Sequence, residues 1–382
     1  MDEANNIIVV GGGPVGNALA LALDRRGRRV TVLEAQSRSN ADDDARTLAL
    51  SHGSRLILER LGVWPLKATP ITRIFVSQRG GFGRVELSAD AVGIAALGHV
   101  IEYGELRRAL AAAVQSSGVT VEAGCAATAV KGGGEHAVVA IEQAGLQRDL
   151  RARLAVVADG GGGLNLSQVK NHDYGQSALV CDVVSDQAHH NRAYERFTEA
   201  GPLALLPHGA GWSLVWTTRP ECAQELAALD DRAFCARLGA AAGTAFGMFA
   251  LRGRRQVFPL RLKVAGQALA PRCVLIGNAA QTLHPVAGQG FNLGLRDAYE
   301  LARLIAAHGA PDPGAQSLLN TFFAQRRFDR TATILFTDSL IRLFSNDIPL
   351  LRSVRGLGLA ALTVLPGAAN FLARRMIFGV RG

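Results

Sequence analysis

The chain has 382 residues, 48% of them hydrophobic, enough to bury the core of one large or two intimate domains and to exclude a disordered polar scaffold. Its 43 glycines follow no three-residue period, which excludes a collagen-like rod. Lys+Arg exceed Asp+Glu by 41 − 32 = +9, a balance that suits an anionic cofactor or an acidic lipid surface; with no lysine-rich tail and no aromatic-studded basic stripe, nucleic acid is not an expected partner.

The N-terminus is acidic before its first apolar run and has no cleavage-like segment, so no signal peptide and a cytoplasmic protein are expected. Ile7 to Val10 read as a buried strand, Gly11 to Gly16 break it, "NALALALDRRG" continues as an apolar-striped helix, and "RVTVLE" is a second strand. Residues 42 to 61 read as a loop entering a helix, and "ITRIFVSQRGGFGRVELSA" alternates like a hairpin around a glycine turn. "YGELRRALAAAVQSSG" is a helix closed by Gly118; "VTVEAG", "AVVAI" and "ARLAVVADG" follow as strands. From 174 to 265 the chain is strand-rich with longer polar connections, as expected of a separate, mainly β substrate domain. Residues 273 to 309 return to the opening design of strand, glycine-rich loop and long helix.

Residues 315–345 and 350–378 read as helical, divided by "NDIP", whose proline favours a break. The expected division is therefore 1–173 and 266–345 for one α/β Rossmann-like domain, 174–265 for an inserted α+β domain, and 346–382 for a C-terminal helical segment. Within that segment "GLGLAALTVLPGAANFLA" carries Pro366 and Asn370 and is marginal for a spanning helix, which predicts a docked or interfacial element. The five cysteines form no CxxC pair, so neither a metal site nor a dithiol is expected.

Two segments carry chemistry. In Gly11-Gly12-Gly13-Pro14-Val15-Gly16, the glycines at 11, 13 and 16 permit the tight turn, close approach of a diphosphate and close helix–strand packing, with a helix N-terminus facing the charge. Glu34 ends the next strand, where a carboxylate accepts hydrogen bonds from a ribose diol. This motif alone leaves FAD and NAD(H) open. The second segment, "HPVAGQGFNLGLRD", places Gly288, Gly290 and Gly294 at the entrance to a helix, and its backbone donors suit the negative charge of a reduced isoalloxazine. That favours a held flavin, and a β-branched residue at 290 is expected not to fit.

With these residues in place, the sequence resembles the class A FAD-dependent aromatic monooxygenases of the p-hydroxybenzoate hydroxylase fold, and within them the ubiquinone-biosynthesis hydroxylases of the 2-polyprenyl-6-methoxyphenol branch. The likeness runs through "IIVVGGGPVGNALALAL", "ARTLALSHGS", "VVADG", "LIGNAAQTLHPVAGQGFNLGLRD" and "TDSLIRLFSNDIPLLRSVRGLGLA". It implies non-covalent FAD held by Gly11, Gly13, Gly16, Glu34, Arg46 (at the diphosphate), Asp159, Gly277, Asn278, Gly288, Gln289, Gly290 and Asn292. Pro285, Val286, Gly288 and Gly290 would shape the catalytic space. It implies ring hydroxylation of a polyprenylated phenol, with NAD(P)H as reductant and O2 adding at flavin C4a, and peripheral contact with the inner membrane and with other ubiquinone-biosynthesis proteins. The competing readings are an FAD hydroxylase of another ubiquinone intermediate or of a soluble aromatic acid, and a non-catalytic FAD-bearing subunit. The chain departs from relatives at Asn278, where many carry Asp, at Gly163 and Leu166, where Ser and Arg are common, and at Tyr103, which is given no ligand role.

His189 and His190 read as solvated neighbours, and His284 stays open between a pocket role and a structural hydrogen bond. Beyond Ile348, Arg352, Arg355, Arg374, Arg375 and Arg381 have no acidic partner in sequence, which suits a solvated helix end or anionic lipid.

Overall fold

The computed structural model describes residues 7–36, 46–161, 164, 169–265, 270–283, 288–307, 312–344 and 349–379. At its centre is a parallel five-stranded sheet in the order Cys273–Leu275, Leu154–Val157, Ile7–Val10, Val30–Glu34, Thr120–Ala123. The strands Ile7–Val10 and Leu154–Val157 are buried along their whole length, as continuous apolar runs require when both faces of a parallel sheet are covered. The helices Pro14–Asp24, Tyr103–Gln115 and Gln289–Ala307 cover one face through Leu19, Leu23, Leu106, Leu110, Leu301 and Ile305. An antiparallel three-stranded sheet, Cys125–Gly132, Ala137–Gln143 and Leu146–Ala152, covers the other through Val139 and Ile141.

A second, eight-stranded sheet runs Gln281–Thr282, Phe249–Ala265, Val169–Ser185, Gly211–Thr218, Gly201–His208, Arg192–Thr198, Arg73–Gln78, Arg84–Ser88. The sequence places its strands within 174–265, but the sheet also takes 73–78 and 84–88, and residue 174 lies inside the strand Val169–Ser185. The strand Arg73–Gln78 pairs in parallel with Arg192–Phe197, a partnership that local alternation cannot reveal. A small sheet, Thr47–Ser51, Gly98–Glu102 and Thr69–Ile71, completes the strand structure used below.

On one face of the eight-stranded sheet, Leu203, Leu205, Trp212 and Leu214 pack under the helices Pro220–Ala228 and Asp231–Ala242. Toward its far edge, Val85, Leu87 and Phe197 meet Leu359, Ala369, Ala373 and Ile377 of the C-terminal helices. These helices are Gln316–Phe344, Pro349–Val364 and Pro366–Phe378. The "NDIP" break falls largely outside the described residues. Within 350–378 the chain also turns by 100° between Val364 and Gly367, at Pro366, so the region is a bent pair and not one helix. Glycine permits its docking: a Cβ at Gly83 would lie 2.3 Å from the Gly356 carbonyl oxygen, and one at Gly53 would lie 2.7 Å from that of Ile377.

Glu195 alternates with Tyr194 and Arg196, sharing a sheet face with Ala193 and Phe197 and lying across from Val76 and Ala204. Burial among these apolar neighbours pushes its carboxyl up to about 7, from an ordinary 4.5. Between those values the unfolded chain is ionised while the folded carboxyl keeps its proton, so rising pH withdraws stability, to a limit of roughly 3 kcal/mol once both are crossed. Glu195→Gln should therefore match the parent in acid and exceed it increasingly toward about pH 8, read by urea unfolding across pH. Parallel profiles for the two proteins would refute this.

Candidate functional site

The strands Ile7–Val10, Leu154–Val157 and Cys273–Leu275 are adjacent in the central sheet and end on the same side, so the loops that follow them converge. The crevice beyond the carboxyl ends of such strands is where open α/β sheets bind ligands. The convergence is tight. A Cβ at Gly11, where φ is +105°, would lie 2.6 Å from the Ala158 carbonyl oxygen, and one at Gly161 would lie 2.8 Å from that of Asn278. Asp159 holds its loop by accepting from the Gly161 N–H at 2.9 Å. Gly277 (φ +60°) leaves room for Val15, and Asn278 is exposed at the rim.

The first loop has the features a dinucleotide requires. A Cβ at Gly16 would lie 2.0 Å from the Gly11 carbonyl oxygen, whereas one at Gly13 would meet nothing among the described residues, so glycine closes the turn at 16 and leaves open space at 13. Helix Pro14–Asp24 begins at Gly13 with no side chain capping its N-terminus, so its free N–H groups can meet an anion. Glu34 accepts from the Gly12 N–H at 3.0 Å and the Gln36 N–H at 2.8 Å, one bond on each carboxylate oxygen, with further lone pairs left for a ribose diol. These residues fit the adenosine end of an extended dinucleotide. Glu34→Ala should raise the FAD dissociation constant by roughly 10- to 100-fold, equivalent to about 1.5 to 3 kcal/mol, in fluorescence titration of the apoprotein. Unchanged affinity would remove Glu34 from the site.

The second glycine loop differs in detail from the sequence expectation. Gly290 is helical, and among the described residues a Cβ there would meet only Leu283 at 3.9 Å, so these residues impose no tight fit at 290. The tight fit lies at Gly288 (φ +59°, Ala49 Cβ at 3.0 Å) and at Gly294, where a Cβ would sit 2.9 Å from Gly277 Cα. Asn292, 1% exposed, has a side chain fully occupied within the protein. Its oxygen accepts from Ser51 N–H and Ser54 Oγ, and its nitrogen donates to the carbonyls of Ala49 and Gly288. Asn292 therefore positions the loop and has no side-chain group left to bond a cofactor. Gln289 is buried beside it, at the start of helix Gln289–Ala307. His284, Pro285 and Val286 lie outside the described residues, as do Gly163 and Leu166.

Arg46 lies between two rings, its guanidinium carbon 5.5 Å from the centre of Tyr103 and 5.4 Å from that of Phe258. Tyr103, given no role from sequence, also donates its N–H to the Arg46 carbonyl at 2.7 Å. Phe258 comes from the other sheet, and the alternation of "RRQVFPL" gave no signal that it would meet Arg46. His189 is more than solvated: its ring contacts the Gly209 carbonyl oxygen at 2.8 Å, accepts from Asn191 N–H and stands edge-on to Trp212. Among the described residues no group of three His, Cys, Asp or Glu is placed to hold a metal.

Beside the second loop lies a cavity lined by Gln289, Asn292, Ile71, Ile74, Leu87, Leu97, Met376 and Ile377, with no charged side chain among its described walls. On the loop's other flank is a buried ionic network. Asp297 receives Gln281 Nε2 at 2.9 Å and Arg326 Nε at 2.7 Å; Asp329 receives Arg326 and Arg296 at 2.7 and 3.0 Å; Arg330 donates to the Ala280 carbonyl. Burial alone would raise the Asp329 carboxyl, but the two guanidiniums outweigh it and hold it below the usual range.

Comparison with known proteins agrees with this geometry. The FAD binding domain family matches residues 4–336. The ubiquinone hydroxylase UbiL of Rhodospirillum rubrum is 35% identical over 94% of this chain and 86% of its own, and the 3-demethoxyubiquinol 3-hydroxylase of Escherichia coli is 30% identical over 94% and 95%. Among solved structures, p-nitrophenol 4-monooxygenase from Pseudomonas putida superposes with a TM-score of 0.79 over 99% of both chains at 16% identity, a likeness of fold. The two glycine loops, the carboxylate that follows the first and this span of agreement place the chain in the FAD binding domain family, as a relative of the ubiquinone hydroxylases.

Proposed function

We propose that the protein is an FAD-dependent monooxygenase that hydroxylates the aromatic ring of a polyprenylated phenol in ubiquinone biosynthesis, with NAD(P)H as reductant and O2 as oxygen source. The observation that carries the substrate class is the likeness, over nearly the whole chain, to two hydroxylases named for the ubiquinone pathway. The cavity beside Gln289 and Asn292, about 60 Å³, is too small to hold a phenol, but its walls of Ile71, Ile74, Leu87, Leu97, Met376 and Ile377 offer apolar surface to part of a prenyl tail and no described cation to a carboxylate. The names of the two relatives above support the same pathway.

Bound FAD would supply the redox and oxygen chemistry that no side chain here offers. The protein's part is placement. Gly11, Gly13, Gly16 and Glu34 take the adenosine half, and Arg46, steadied by Tyr103 and Phe258, takes diphosphate charge. Asp159, Gly277 and Asn278 line the crevice between the two halves. Asn292 fixes the Gly288 turn so that the N–H groups opening helix Gln289–Ala307 face developing negative charge. The phenol's own hydroxyl activates its ring, so no protein nucleophile is required.

The test is to supply the FAD-loaded protein with NAD(P)H and a short-chain prenylated methoxyphenol, measuring nicotinamide consumption and hydroxylated product by mass spectrometry. Both should rise together. Product from soluble aromatic acids alone would overturn the substrate class, and FAD retention without substrate-stimulated oxidation would favour a non-catalytic subunit.

A further inference from the structure

The C-terminal bent pair has two faces of opposite character. Its inner face, Leu359, Ala369, Ala373 and Ile377, is packed on the eight-stranded sheet. Its outer face leaves Leu357, Val364, Leu365 and Phe371 exposed at 61, 76, 59 and 63%. Isolated apolar residues on a surface are ordinary, but these are grouped on and around one sharp bend, with Phe328 of the neighbouring helix also exposed. Arg375 stacks on both Phe328 and Phe371, Arg374 is exposed beside them, and residues 349–379 contain no Asp or Glu.

We propose that this bent pair is a docking surface for an anionic phospholipid bilayer, with Val364 and Leu365 at its apex entering the headgroup boundary and Arg374 meeting lipid phosphates. No single described helix is long and apolar enough to cross a membrane, and the pair passes that criterion only when its two halves are taken together despite their bend. An apolar apex flanked by arginine is the composition of an element that lies in the interface. A charged protein partner would leave the apolar apex without a counterpart, and an apolar one would leave the arginines without one. The location has a use that rests on the function proposed above. Helix Pro366–Phe378 also lends Ala373, Met376 and Ile377 to the apolar cavity, so a bilayer on its outer face lies only about 10 Å, one helix diameter, from that cavity.

The helices also form part of that cavity's wall, so truncation would confuse docking with folding. Point variants of the FAD-loaded full chain separate the two. The wild-type protein should co-sediment with phosphatidylcholine vesicles containing phosphatidylglycerol, less with phosphatidylcholine alone, and be released by high salt. Val364→Glu combined with Leu365→Glu should lower partition by about tenfold or more while FAD content stays unchanged. Arg374→Gln should reduce mainly the preference for phosphatidylglycerol. If the double variant loses FAD, Phe371→Gln gives the same readout from the other helix. Failure of the wild type to bind either vesicle, or equal binding by the variants, overturns the proposal. Self-association in place of vesicle binding, lost in the variants, would assign the face to a second copy and also overturn it. Vesicle binding is read without turnover, so it stands or falls apart from hydroxylation of a detergent-dispersed substrate.

Discussion

Gly16→Val should leave a protein that retains no FAD through purification and unfolds with a stability loss of roughly 3 kcal/mol or more. A Cβ at this position would sit 2.0 Å from the Gly11 carbonyl oxygen, and the obstacle is backbone, which cannot rotate aside as a side chain can. Relief requires the first strand and its helix to separate, and Gly11 is already pressed against the Ala158–Asp159 turn. Flavin absorbance per mole of protein and urea unfolding of the apoprotein measure the two losses. Gly13→Ala is the internal control: its Cβ meets nothing among the described residues, so stability should hold while FAD affinity falls. Retention of FAD by Gly16→Val would mean that the loop does not hold the diphosphate in this conformation.

Asp329→Ala should cost about 3 to 5 kcal/mol, because it removes the carboxylate bonded to both buried guanidiniums and leaves Asp297 bonded to Arg326 alone among the described ion pairs. Combining it with Arg296→Met should restore part of the loss, since that removes the charge left without a partner. The sign with pH is also fixed. The Asp329 carboxyl is depressed in the folded protein, so its contribution is complete above its ordinary value of 3.8 and is lost only as pH falls through the lower folded value. Wild type and Asp329→Ala should accordingly differ at neutral pH and converge in strong acid. Additive effects in the double variant would show that the two residues act independently.

The parts of the site legible in the sequence are those whose partners are close in the chain. The loop from Gly11 to Gly16 sits between its own strand and helix, and Glu34 follows at the end of the next strand, so local pattern was sufficient. Asn292 shows where that pattern stops. The family resemblance implied a cofactor ligand there, but its four bonds go to residues 49, 51, 54 and 288, three of which only the folded topology brings near. Phe258 was missed for the same reason. At Gly288 the left-handed turn and at Gly290 the second residue of the helix depend on where the first helical hydrogen bond closes, which composition does not fix. The eight-stranded sheet escaped in part because residues 73–78, which carry 84–88 with them, pair with a strand more than a hundred positions later.

The order of the central sheet has a consequence for synthesis. Ile7–Val10, first to leave the ribosome, is flanked by Val30–Leu33 on one side but by Leu154–Val157 on the other, and that strand in turn waits for Cys273–Leu275. At ordinary translation speeds the last of these follows the first by on the order of ten seconds to a minute. During that interval the half-built sheet presents a bare apolar edge, and a nucleotide could find only the Gly11–Gly16 half of its seat. Flavin capture is therefore a late event in the birth of this protein, and the nascent chain up to that point is the form most in need of a chaperone.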